Sequence, residues 1–171
     1  MARQVTFDLK VSIKAREIVT NPGSVGGESA TLPHPFEYSA SWTSGTTDGQ
    51  CDRIWSATPS LDSTGNSYDL LAGANMLSQL TTVGVNSFVD LCCLAVKNTD
   101  TTNDLRVGAG SNPVVGIVLA SGDVMVVKPG GLLLWVAPGG IAPVADTGDI
   151  LKIASSAGTV PAELMVVGRS A

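Results

Sequence analysis

The residues most suggestive of chemistry are Asp146-Thr147-Gly148. This is the Asp-Thr-Gly of aspartic proteases, in which two such carboxylates share one proton across a dimer. A hydrophobic-hydrophobic-Gly element, Val166-Val167-Gly168, follows it. The interval between the two is too short to hold a flap and the strands of a substrate cleft. The Asp is also preceded by Ala145 and a proline-rich stretch rather than by a long apolar strand. The motif therefore reads as a turn, in which Asp and Gly set the backbone and Asp149 leads into the next strand.

Nucleophilic catalysis finds little else to use. His34 is the single histidine, and it stands between Pro33 and Pro35 with no G-x-S-x-G to accompany it. One histidine and no CxxC leave no zinc set. Asp100 with Asp104, or Asp62 with Asp69, could gather around calcium, but neither pair keeps the register of a calcium loop. Gly108-Ala109-Gly110-Ser111-Asn112-Pro113 begins like a dinucleotide fingerprint and then places Pro113 where the third glycine belongs. Trp42, Trp55 and Trp135 could form a sugar platform, although tryptophan more commonly anchors a core or an interface. The sequence thus predicts no catalytic residue, no metal site and no cofactor.

Cys51, Cys92 and Cys93 lack a spacing suited to metal or redox work. Neighbouring residues of a strand point to opposite faces, so Cys92 and Cys93 form no ordinary local disulfide. Small buried hydrophobes in a reducing compartment are the expectation. No N-x-S/T sequon and no signal-peptide h-region appear, which predicts a chain made in a cytoplasm. The longest uncharged run, Pro129 to Ala145, is too broken by Pro and Gly to span a bilayer.

The elements that would position these residues are strands. Val5, Phe7, Leu9, Val11 and Ile13 alternate with Thr6, Asp8, Lys10, Ser12 and Lys14, the pattern of a half-buried strand. A loop from Asn21 to Gly27 follows, then an alternating strand from Phe36 to Trp42, a turn from Ser44 to Gly49, and a short strand from Arg53 to Thr58. Phe88 to Lys97 is apolar on both faces. Further strands are expected at Leu105–Val107, Val114–Leu119, Val124–Lys128, Leu132–Val136, Ile150–Ala154 and Leu164–Val167. Tyr68 to Leu80 is the one stretch that suits a helix, and Gly73 and Asn75 limit it to a turn or two. Strands recurring at about 8–12-residue intervals between turn signals predict an all-β sandwich or barrel.

The 171 residues suit one domain with a real core. Residues 1–60 are expected to form the N-terminal strand and loop-rich part of that domain, and residues 61–171 its denser core. The charged fraction is 15%, against about 25% in an average protein. Glycine, at 19 residues, helps to fill the gap. Depletion of charge marks surfaces that partners cover, so a homo-oligomer is expected. The net charge of −5, with Lys and Arg scattered singly, argues against a nucleic-acid partner.

Three stretches of the second half carry a family likeness. They are Tyr68-Asp69-Leu70 followed by Phe88 to Asn98; Val126-Val127-Lys128-Pro129-Gly130-Gly131; and Ile150 to Ala154 leading to Val166-Val167-Gly168. In these, residues 65 to 171 resemble a recurrent type of small virion protein of tailed bacteriophages. The resemblance implies a single jelly-roll-like β-sandwich, here with an N-terminal extension strand, commonly assembled as a trimer. It implies a non-enzymatic role as a capsid decoration (cement) protein bound to the major capsid protein, in a virion assembled in the bacterial cytoplasm. A tail or baseplate component with receptor or carbohydrate binding is the alternative it allows.

Overall fold

The structure is a computed structural model that describes residues 5–20, 29–73, 76, 87–114, 116–117 and 120–170. It is all-β: twelve strands and no helix occur among the described residues. In chain order these are β1 (Phe7–Thr20), β2 (Ser29–Ser44), β3 (Gln50–Cys51), β4 (Arg53–Ala57), β5 (Ser60–Leu61), β6 (Asn66–Asp69), β7 (Asp90–Asn98), β8 (Leu105–Gly108), β9 (Val124–Val127), β10 (Leu132–Ile141), β11 (Ile150–Ser155) and β12 (Val160–Arg169). They fall into two compact units. One is Phe7–Ser41, and the other is Met1–Thr6 with Trp42–Ala171.

The larger unit holds two antiparallel sheets. One has the order β10-β7-β12-β4, with β5 also on β12, and the other has the order β6-β11-β8-β9. Trp55, Leu94, Val96, Leu164 and Val166 of the first sheet share one buried cluster with Tyr68, Leu105, Val107, Val127, Leu151 and Ile153 of the second. Period-two alternation explains the division, because every second residue of these strands is apolar and turns to the same side. In β7 the residues Leu91 to Leu94 are all fully buried, so this part of the strand is covered on both faces and reads as a continuous apolar run. Trp55 lies on Tyr68 with ring centroids 5.0 Å apart at 56°.

One polar side chain is built into this interior. Asn98, at the end of β7, is fully buried. Its Nδ2 donates to the carbonyls of Asn103 (2.8 Å) and Val127 (3.0 Å), and its Oδ1 accepts from the Asp100 amide at 3.0 Å. It therefore ties β7 to the loop before β8 and to the end of β9.

The smaller unit is the ribbon of β1 and β2, which are hydrogen-bonded neighbours. Beyond it, Thr43 and Ser44 pair in parallel with Gln50 and Cys51 of β3. The bend and turn at residues 45–49 separate the two.

The structure departs from two local expectations. Tyr68 and Asp69, placed at the start of a helix, lie in β6 and pair with Leu151 and Ile150. The Tyr68 ring is drawn into the core beside Trp55, and the Asp69 carboxylate turns the chain by accepting from the amides of Leu71 (3.0 Å) and Ala72 (2.7 Å). Most of the remainder of that helix expectation lies outside the described residues. Within Val114–Leu119, Gly116 and Ile117 form a turn instead of a strand. Gly116 has φ +98°, a value open to glycine. The loop expected at Asn21–Gly27 lies outside the described residues.

Candidate functional site

The face of the first sheet turned away from the shared core is the feature best shaped to meet another molecule. Register defines it. Leu134 of β10 stands beside Ala95 of β7, which stands beside Met165 of β12, which stands beside Ser56 of β4. The next row is Val136, Cys93, Val167 and Ile54. A third row begins Leu132, Lys97 and Glu163. Two of the three rows carry no charge.

Cys93 and Val167 in the middle row are buried, whereas Leu134, Ala95 and Met165 remain partly open and Leu132 is 61% exposed. The open part forms a concavity of about 400 Å³, lined chiefly by Ala57, Ala95, Leu132, Leu164, Met165 and the Lys97–Glu163 pair. Lys97 Nζ donates to Glu163 Oε1 at 3.0 Å on its rim. A hydrophobic floor with one exposed ion pair can accept an apolar group.

A second arrangement locks the strands of the same sheet together at one end. The Arg169 side chain is only 4% exposed. Its Nη1 donates to Asp48 Oδ1 at 2.8 Å, its Nε to Asp90 Oδ2 at 3.2 Å, and its Nη2 to the Gly139 carbonyl at 2.6 Å. Burial works against the charge, but the Asp48 hydrogen bond and the Asp90 carboxylate outweigh it and hold the guanidinium above its ordinary range. The backbone is shaped to admit it. Gly140 has φ +80°, and a Cβ there would come within 2.6 Å of Arg169 Nη2. At Gly168 a side chain would collide with the Asp90 carbonyl and the Phe88 ring. Asp52 completes the lock by accepting from the Ser170 amide at 2.7 Å and from its hydroxyl.

The residues singled out in the sequence are dispersed. Asp146 sits in a tight turn at φ +61°. Its amide donates to Asp149 Oδ2 at 3.1 Å, and the Gly148 amide donates to the Val144 carbonyl at 2.7 Å. His34 lies in β2 of the smaller unit. Asp62, Asp69 and Asp100 each fold back on the amides two and three residues ahead. These contacts, that from Asn103 foremost, hold the Asp100 carboxyl below its ordinary range. Asp104 takes Lys128 at 2.9 Å. Among the described residues, no group of three His, Cys, Asp or Glu is placed to hold a metal ion. Trp42 and Trp55 are buried and Trp135 is half-buried, so they do not form an exposed platform.

In the 108–113 stretch, Ala109 and Asn112 take positive φ, and Pro113 bridges to Ile150. The cysteines are free and buried. Burial pushes the Cys51 and Cys93 thiols up to about 11.

The sequence did not reveal the Arg169 lock. Its carboxylate partners lie 79 and 121 residues away in the chain, and a lone arginine in a strand reads as a solvent-facing residue. The exposed aliphatic Leu132 beside a Pro-Gly-Gly turn was a signal for the open sheet face, visible only once the register is known. Among the described residues no helix is long and apolar enough to cross a membrane. Compared with known proteins, the chain matches no family model, no curated protein and no solved structure.

Proposed function

We propose that this chain is a non-enzymatic structural protein of a tailed-bacteriophage virion, and that it decorates the outside of the head as a cement protein. In this reading the two sheets around one core constitute a single jelly-roll-like sandwich. The chain assembles as a homotrimer in the host cytoplasm and then seats on the major capsid protein. The observation that carries the reading is the open outer face of the β10-β7-β12-β4 sheet. That face has one uncharged row still partly open, Leu134, Ala95, Met165 and Ser56, along a mainly apolar concavity, which is the composition of an interface core. The phage-like stretches of the second half supply the particle.

A cement subunit acts by mass action. It binds the expanded shell and not its precursor, so each bound copy shifts the equilibrium toward the expanded state. Many equal sites multiply a modest energy per site. Because the face is largely uncharged, attachment depends only weakly on salt.

The test compares particles with and without the protein under heating and under low ionic strength. Earlier rupture of the depleted particles is the expected result. Equal robustness would overturn the cement role, and finding the protein on the tail would replace it with a tail or baseplate component.

A further inference from the structure

We infer that Arg169 and Ser170 form a two-point clasp over residues 48–52, and that this clasp opens and closes as a local conformational device while the core between the two sheets stays packed. The inference goes beyond the structural role proposed above and does not depend on it.

The two points stand on either side of Cys51. Arg169 Nη1 donates to Asp48 Oδ1 at 2.8 Å, and Asp52 accepts from both the amide and the hydroxyl of Ser170. The Asp52 amide in turn donates to the Gly168 carbonyl at 3.2 Å. The end of β12 thus grips one short piece of chain on both sides of a buried residue.

That piece is built to move as one body. The Gly45 amide donates to the Cys51 carbonyl at 3.1 Å, and the Gln50 amide to the Thr47 carbonyl at 3.0 Å. Gln50 Oε1 accepts from the Thr47 amide at 3.2 Å and from its hydroxyl at 2.7 Å. Thr43 and Ser44 pair with Gln50 and Cys51. All of these bonds lie within residues 43–51, so they persist when the clasp lets go.

What the clasp covers is separate from the core. Trp42 and Cys51 are buried, yet both stand outside the cluster of buried residues that joins the two sheets. Trp42 Nε1 donates to the Pro138 carbonyl at 3.4 Å, a long bond, from the irregular stretch of β10 between Val136 and Ile141. Release of residues 42–51 therefore uncovers Trp42 and Cys51 and leaves Leu94 and Val166 packed. The charges tolerate that release. The Asp48 side chain is 90% exposed, so water takes the place of its partner readily. The buried guanidinium keeps Asp90 and the Gly139 carbonyl, so no bare charge is left inside.

Cys51 reports the opening. Cys93 is the standard, because it lies in the middle of the sheet between Val136 and Val167. Burial holds both thiols at about 11, so neither is favoured while the protein is closed. Labelling by an aromatic disulfide reagent is followed over hours in wild type, in Asp48→Ala/Asp52→Ala, and in Asn98→Leu, which weakens the core without touching the clasp. In the clasp variant the rate at Cys51 relative to Cys93 should rise about tenfold or more over wild type. In Asn98→Leu both thiols should speed up by the same factor. Equal acceleration of both thiols in the clasp variant would overturn the inference, and so would an unchanged rate at Cys51. Hydrogen exchange of the wild-type chain tests the same point without a substitution. The amides of Asp52 and Ser170, which hold the clasp, should exchange at rates that low denaturant barely alters. Those of Leu94 and Val166 should respond steeply, since the slope follows the surface exposed on opening. One common slope for all four amides would overturn the inference.

Discussion

Arg169 on β12 grips Asp90 at the start of β7 through both Nη2 (3.0 Å) and Nε (3.2 Å), which meet the same carboxylate oxygen. Asp48 holds the other side of the guanidinium, yet its own side chain is 90% exposed. The two carboxylates therefore differ in worth. Asp90→Ala leaves a buried guanidinium short of its principal partner and should cost about 2–4 kcal/mol. Asp48→Ala should cost less than about 1 kcal/mol, since water replaces an exposed carboxylate readily. Chemical denaturation of the two variants checks the order, and equal losses would contradict it.

Asn98 offers a sharper case, because all of its partners are backbone groups. Asn98→Leu removes three hydrogen bonds and leaves the Asn103 and Val127 carbonyls without this donor. A loss of about 2–3 kcal/mol is expected in thermal unfolding. A loss under about 0.5 kcal/mol would mean that water enters and takes over the contacts.

The thiols should be inert in the native state. With Cys51 and Cys93 raised to about 11 by burial, almost no thiolate is present at pH 8. Cys92 is shifted in the same direction, again chiefly by burial. An aromatic disulfide reagent should label none of the three within minutes, and all three at once in denaturant. Rapid labelling of any one in native protein would show a site more open than its burial implies.

Asp100 sets a pH dependence whose sign is fixed by its environment. Its carboxyl lies below the ordinary value of 3.8 because amides of its own loop hydrogen-bond the charged form. Such a group stabilises the fold fully above the unfolded value, and that contribution disappears as pH falls through the lower folded value. Asp100→Asn should therefore lower stability at pH 7 and change little at a pH below the folded value, so that the acid limb of stability below about pH 4 flattens. A nuclear magnetic resonance titration placing the Asp100 carboxyl at or above 3.8 would refute the account.

Some of this was legible in the sequence and some was not. The stretch Leu91–Leu94 of β7 announces itself, since a segment covered on both faces must be apolar throughout. The alternation of Val5 to Lys14 marks β1 but not its end, because Ala15 to Thr20 breaks the pattern while still remaining in the strand. Tyr68 misled because aromatic and leucine residues near Gly73 suit a short helix as well as an edge strand. Only its pairing with Leu151 decides the matter. Arg169 and Asn98 could not be recognised as buried, since their partners come from distant strands and loops. The outer sheet face required a register between four strands that no local pattern supplies.

The place of β12 has a consequence for how the chain reaches its fold. It lies between β7 and β4, so the sheet has a gap at its centre until residues as late as Arg169 are available. During synthesis, β4 and β7 would emerge long before the strand that joins them, leaving apolar edges open while the ribosome works. Pairings this distant in sequence are slow to close and liable to stray partnering. A nascent chain released before β12 should therefore be recovered mainly with chaperones or in aggregates, and restoring Val160–Arg169 should return it to solution.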